Sequence, residues 1–248
     1  MSYSDLLRKV IAAPPPTFTP LDINGAVFWG DATQLSYNNN DPVDAWDDLS
    51  GLGTPTSTGS ARPTYTENVF GSKPSLSFDG SDDFLGFPSS SLGMFRDVSG
   101  ITSFFIVKPN NSVTSRFIHA STGTISFNRY AFLNLSGDSW LGIRRLNSDP
   151  NQVITGDPLG TNPTLLTNRI DYQNRFAEIR QDGVQTAQTT TLQTSGNSDD
   201  SDSNIIRIGS SSGIQFINAH YGEMIMYNRR LTDNEMNDVE SYLTQKWL

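Results

Sequence analysis

The chain has 248 residues, enough to bury one sizeable core, with 20 Gly, 13 Pro and 14 Phe but only 17% charged residues; that profile favours short strands joined by polar turns and disfavours a helical fold. Its formal net charge is -9 with 17 Lys and Arg in all, which excludes a basic footprint for nucleic acid. Cysteine is absent, excluding disulfides, thiolate metal sites and a thiol nucleophile.

Residues 1–20 stand apart from the rest. Ser4 caps a potential helical turn or two over 4–11, carrying Leu6, Leu7, Val10 and Ile11, and Pro14, Pro15, Pro16 and Pro20 then favour extended geometry. This segment is read as an N-terminal arm, either a docking segment for a larger assembly or a loose tail. Its apolar run is too short for a secretory core or a membrane span, so neither Sec export nor membrane insertion is expected.

The β pattern begins at 26–29, followed by a polar turn over 38–42 and a long Gly, Ser, Thr and Pro-rich loop from Trp46 to Pro63. Residues 75–80 and 83–87 alternate apolar and polar on either side of Asp79-Gly80 and predict a hairpin. The continuous apolar run 101–107 predicts a central strand buried on both faces. Further strands are expected over 116–120, 124–127, 130–133, 140–144, 152–154 and 164–166. A second hairpin over 175–187 turns at Asp182-Gly183, and a polar acidic loop covers 195–203. The last strands are 204–209 and 221–227, giving about a dozen short strands, the count of a two-sheet sandwich.

Thr232 and Glu235 form a capping box. Met236, Val239, Leu243 and Trp247, with Tyr242 beside them, then recur at helical spacing, so a C-terminal helix should pack its apolar face on the sandwich. His119 and His220, far apart in apolar strands, read as structural.

Four segments, 46–51, 62–64, 74–85 and 222–236, resemble in order the concanavalin A-like lectin/glucanase superfamily, in its laminin-G-like jelly-roll branch common in bacterial and phage proteins. The resemblance spans about 23–248 and implies an all-β, two-sheet antiparallel jelly-roll sandwich over 21–248 with a C-terminal capping helix. It implies a glycan-binding face or rim, sometimes beside a structural Ca²⁺, and leaves activity open because one fold hosts many functions.

Candidate sites follow. Asp79, Asp82 and Asp83 on a Gly-containing turn offer hard oxygen ligands to Ca²⁺ or simply shape the turn, and Glu223 is either a further ligand or the partner of an Arg at a sheet edge. Flat aromatic faces complement the C–H face of a pyranose, although strand aromatics commonly belong to the core. Trp29 and Trp247 follow buried patterns and Trp46 lies in a structural motif of the family. Trp140 therefore remains, with Tyr130, Asn134, Asp138, Arg144 and Arg145, as the glycan-surface candidate.

The glucanase branch uses Glu-x-Asp-x-x-Glu on one strand, and none of Glu67, Glu178, Glu223, Glu235 and Glu240 falls in that pattern. No Gly-x-Ser-x-Gly elbow or phosphate loop is present either. The expectation is a non-enzymatic phage virion structural protein, a capsid decoration, fibre or tail receptor-binding protein. Its arm would hold other virion proteins and its lectin-like domain would meet host-surface glycans. It would be assembled in the host cytoplasm, released by lysis and homo-oligomeric, with a trimer favoured for avidity. The alternatives are a secreted, extracellular bacterial carbohydrate-binding module and a glycoside hydrolase or lyase with atypical catalytic residues.

Overall fold

Alternating apolar and polar residues draw the chain into fourteen strands and one α-helix within the described residues, 18–122 and 128–248, of this computed structural model. The expected strand 124–127 and the arm residues Leu6, Leu7, Val10 and Ile11 lie outside them. The strands are β1 (Ala26–Asp31), β2 (Thr64–Phe70), β3 (Lys73–Asp79), β4 (Leu85–Gly86), β5 (Gly100–Pro109), β6 (Ser115–Ser121) and β7 (Asn128–Leu135). There follow β8 (Asp138–Ile143), β9 (Gln152–Pro158), β10 (Thr164–Asp171), β11 (Phe176–Gln181), β12 (Val184–Thr189), β13 (Ile205–Ile208) and β14 (Asn218–Tyr227). Helix α1 (Asp233–Trp247) follows them.

Two antiparallel sheets form a sandwich. The larger runs β12-β11-β10-β5-β14-β3-β2, with β1 sharing β14's second edge, and the smaller runs β4-β13-β6-β7-β8-β9. β5 lies centrally between β10 and β14, and of its residues only Lys108 is not fully buried, as a continuous apolar run demands. Between the sheets, Phe105 of the larger stacks on Phe132 of the smaller at 5.4 Å, and Phe117 reaches Phe132 and Tyr221. Aromatic pairs of this kind add to the area they bury.

The turn at Asp182-Gly183 joins β11 to β12 with both residues at positive φ, 50° and 78°, the geometry of a type I′ hairpin. Asp79-Gly80 does something else. β3 pairs with β14 and β2 in the larger sheet, whereas β4 pairs with β13 in the smaller, so this turn carries the chain across the sandwich. A local Asp-Gly signal records the reversal but not which sheet the next strand joins. β2, absent from the sequence reading, occupies the larger sheet's edge, where its middle residues Glu67 and Asn68 are exposed.

Thr232 caps α1, accepting from the Glu235 amide at 3.3 Å while Glu235 accepts from the Thr232 amide at 2.8 Å. Met236, Val239, Leu243 and Trp247 are buried as expected, and Glu240 joins them, paired with Arg180 at 3.0 Å. The helix contacts β5 and β10, so among the described residues the larger sheet is covered on both faces and the smaller keeps an outer face. Phe18 packs edge-on against Tyr242, and the Pro20 carbonyl accepts from the Tyr227 hydroxyl at 2.8 Å, so the chain is seated on the domain by residue 18. No helix among the described residues is long and apolar enough to cross a membrane.

Candidate functional site

The outer face of the smaller sheet is defined by alternation. Tyr130 points inward, its hydroxyl between Ser103 Oγ at 2.9 Å and Asn168 Oδ1 at 2.8 Å, and Phe132 points inward to Phe105. Ala131 and Leu133 therefore point outward. Register extends the outward row: Arg116 of β6 stands opposite Leu133, Leu133 opposite Trp140 of β8, and Trp140 opposite Thr155 of β9. Trp140 is half-buried, its Nε1 lacking a hydrogen-bond partner among the described residues, and Val153 on the same face is exposed.

The structure divides Trp140 from the five residues grouped with it in the sequence. Tyr130 is a fully buried core residue whose hydroxyl is pushed up by burial, which removes it from any glycan surface. Asn134 is buried and structural, accepting from the Gly137 amide at 2.9 Å. Asp138 is half-buried at the start of β8.

Arg144 and Arg145 are buried at one end of the sandwich, where they tie loops together. Arg144 donates to Thr122 Oγ1 at 2.9 Å, and Arg145 donates to Thr194 Oγ1 at 2.8 Å and the Asn197 carbonyl at 2.7 Å. Residues adjacent in sequence thus resolve into separate layers of one sheet. Trp140 alone of the group presents an aromatic surface on the outer face.

Arg116 was not foreseen. Its Nε donates to Gln215 Oε1 at 2.9 Å, and it has no carboxylate partner among the described residues. Arg207 sits on the same face opposite His119, stacked 4.1 Å over the Phe84 ring and likewise without an acid. Burial lowers both guanidinium pKa values, yet arginine stays cationic in proteins. The available signal was Phe117 as a core residue, which places its neighbour Arg116 outward; a bulge between Arg116 and Ile118 interrupts the alternation beyond it.

A second candidate lies at the sandwich-crossing turn. Carboxylate oxygens of Asp79, Asp82 and Asp83 all fall within 4.8 Å of one another. Each acid also has one oxygen engaged: Ser81 N on Asp79 Oδ1 at 2.7 Å, Ser60 Oγ on Asp82 Oδ2 at 2.7 Å, and Asp79 N on Asp83 Oδ2 at 2.8 Å. Burial, helped by the charges of Asp79 and Asp82, pushes the Asp83 carboxyl up to about 7. An all-oxygen set whose mutual repulsion no described cationic side chain relieves has the chemistry of a Ca²⁺ site.

Glu223 does not belong to it. It is fully buried under α1, accepting at Oε1 from Trp29 Nε1 (2.7 Å) and Tyr242 hydroxyl (2.9 Å), and at Oε2 from Lys246 Nζ (2.7 Å) and Trp247 Nε1 (2.6 Å). Lys246 also bridges to Asp31 at 2.6 Å. The partner of Glu223 is therefore neither a metal nor an Arg at a sheet edge, and its oxygens are saturated. His119 is fully buried, and His220, lowered by burial and by the Lys108 charge, meets Ser75 Oγ at 3.1 Å.

No family model and no curated protein matches the sequence. Solved structures do match the fold. A Trypanosoma rangeli sialidase aligns at 14% identity and TM-score 0.61, over 90% of this chain and 33% of that one. A structure of botulinum neurotoxin type C, whose cell entry is dependent upon interaction with two ganglioside molecules, aligns at 14% identity and TM-score 0.63 over 91% of this chain and 53% of that one. The CBM40 of Ruminococcus gnavus IT-sialidase, bound to α2,3-sialyllactose, aligns at 11% identity and TM-score 0.54 over 67% and 95%. The chain thus spans about a third of the sialidase and half of the toxin chain. At these identities the shared property is the lectin-like β-sandwich.

Proposed function

We propose that this protein is a non-catalytic carbohydrate-binding domain that receives glycans on the outer face of its smaller sheet. The observation carrying this reading is Trp140, a half-exposed indole beside exposed Val153 on the sheet face that no described helix covers. The glycan-bound CBM40 and the ganglioside-dependent toxin, sandwiches of the same fold, support it. Against catalysis, four of the five glutamates are tied to cations: Glu178 to Arg169 at 2.5 Å, Glu223 to Lys246, Glu235 to Arg229 at 2.6 Å and Glu240 to Arg180. The usual glycosidase pair is two Asp or Glu carboxyl groups acting on one bond, and among the glutamates these pairings leave only Glu67 for such a role.

The Asp79, Asp82 and Asp83 turn would hold a structural Ca²⁺ that braces the crossover between sheets. In the same reading the Pro-rich arm attaches the domain to other virion proteins of a phage, in a homo-oligomer, with a trimer favoured, that adds avidity to weak single sites. A glycan array probed with wild type and Trp140→Ala tests the binding. Loss of about tenfold or more in affinity on removing the indole, at unchanged melting temperature, is expected; equal binding by both proteins would move the site elsewhere. For the arm, full-length protein should co-sediment with particles while a chain starting at Asp22 should not, and equal retention of both would favour a secreted module.

A further inference from the structure

We infer that the saccharide taken by this face carries a carboxylate, read by Arg116; the inference rests on the binding role proposed for the Trp140 face. In a chain of net charge -9, a half-buried arginine on an outer sheet face without an acid partner among the described residues is a place for an incoming anion. Half of the arginines among the described residues are closely paired: Arg62, Arg96, Arg169, Arg180, Arg229 and Arg230 each hold a carboxylate within 3.2 Å. Arg116 is half-buried and, among the described residues, its side chain holds only Gln215. A desolvated cation without a counter-ion is unfavourable in the free protein, and an incoming anion relieves it.

The geometry narrows the anion. Gln215 occupies Nε at 2.9 Å, and the terminal nitrogens Nη1 and Nη2 make no hydrogen bond to any described residue. That leaves a planar, two-donor fork, whose spacing matches the two oxygens of a carboxylate. Register sets the distance to the platform. Arg116 and Trp140 are separated by one strand, with Leu133 between them, so their backbones lie about 10 Å apart at the usual strand spacing.

A disaccharide spans that length: one ring stacks on Trp140 while its neighbour presents a carboxylate to Arg116, and Leu133 with Thr155 forms the floor and far edge. Arg207, also without an acid on the same face, adds positive potential. Charge thereby confers specificity on a face whose aromatic alone would accept any pyranose.

An array of neutral, sulfated and carboxylated oligosaccharides, with each carboxylated member also present as its methyl ester, tests the inference. Esterification removes the charge and leaves the rings intact. The wild-type protein should give its strongest signals with carboxylated saccharides and lose about tenfold to a hundredfold in affinity on esterification. Arg116→Gln should bind acid and ester alike, whereas Trp140→Ala should weaken both by a common factor.

Preference for sulfated or neutral sugars, or indifference of wild type to esterification, overturns the inference and leaves the carbohydrate-binding role standing. Absence of binding across the whole array overturns both. Should Arg116→Gln fail to fold, the acid-to-ester comparison on wild type still decides. A folded Arg116→Gln that keeps the wild-type acid-to-ester ratio removes Arg116 from the site.

Discussion

Replacing Glu223 by Gln tests what fastens the C-terminal helix to the sandwich. The wild-type carboxylate accepts four hydrogen bonds from Trp29, Tyr242, Lys246 and Trp247 at 2.6–2.9 Å in a site with no solvent exposure. Gln keeps the shape, and its carbonyl can still serve Trp29 and Tyr242. Its amide then turns two donors toward Lys246 Nζ and the Trp247 indole, so two charge-assisted bonds are lost and donor faces donor. At about 1.5–3 kcal/mol for each bond to a charged group, and with a buried ion pair broken at one partner, the cost is about 3–5 kcal/mol.

Lys246 retains Asp31 at 2.6 Å, which keeps the cost at the lower end. For a domain of this size 1 kcal/mol moves the melting temperature by about 2–4 °C, so a fall of roughly 6–15 °C is expected by calorimetry at neutral pH. Hydrogen exchange should show α1 opening before the sheets. Adding Lys246→Met to Glu223→Gln should recover part of the loss, because the ammonium left facing an amide is removed. A melting temperature within about 2 °C of wild type, or strict additivity of the two substitutions, would refute the reasoning.

Gly222 lies at a bulge between β14 and β5, against the Trp247 ring of α1. A Cβ there would lie 2.8 Å from the Trp247 ring and 3.0 Å from Ile106, so Gly222→Ala should destabilise by about 1–3 kcal/mol, read by urea denaturation. A midpoint equal to wild type would show that the indole has room to move. The acidic turn predicts a pH-dependent response to calcium. Because the folded-state pKa of Asp83 is raised to about 7 above its unfolded value, its protonated form favours folding at low pH and that contribution is lost as pH rises through 7. Millimolar Ca²⁺ should therefore raise the melting temperature more at about pH 8 than at about pH 5, and an identical response to EDTA and Ca²⁺ at the higher pH would argue that the three acids only shape the turn.

Layering and the closing helix were legible in the sequence because both rest on period. The apolar run at 101–107 required a strand covered on both faces, and Thr232 with Glu235 announced a helix start whose apolar stripe had to be buried. Sheet membership was not legible at Asp79-Gly80, since an Asp-Gly pair specifies the local reversal and the choice of sheet is made by pairing with β14, more than a hundred residues on. The glycan candidates failed for a similar reason. Tyr130 and Trp140 lie on neighbouring strands, but they point to opposite faces, and only the register Leu133 to Trp140 shows it. Glu223 reads locally as a lone acid in an apolar strand. Its meaning comes from Trp29, Lys246 and Trp247, near the two ends of the described chain.

The distribution of polar groups between the two sheets explains why the functional face should be the smaller one. On the larger sheet, every buried glutamate near α1 is answered: Glu223 by Lys246, Glu178 by Arg169, and Glu240 by Arg180. A ligand there would have to displace a helix held by those pairs. On the smaller sheet Arg116 and Arg207 have no acid partner among the described residues. Unmade polar interactions cost stability in the free protein; those of the larger sheet, at Thr167 Oγ1, Asn168 Nδ2 and Gln181 Oε1, are sealed from solvent, whereas Arg116 and Arg207 are only half-buried. These half-buried cations on the face that no described helix covers therefore point to an anionic ligand that completes them, whereas the C-terminal helix closes off the outer face of the larger sheet.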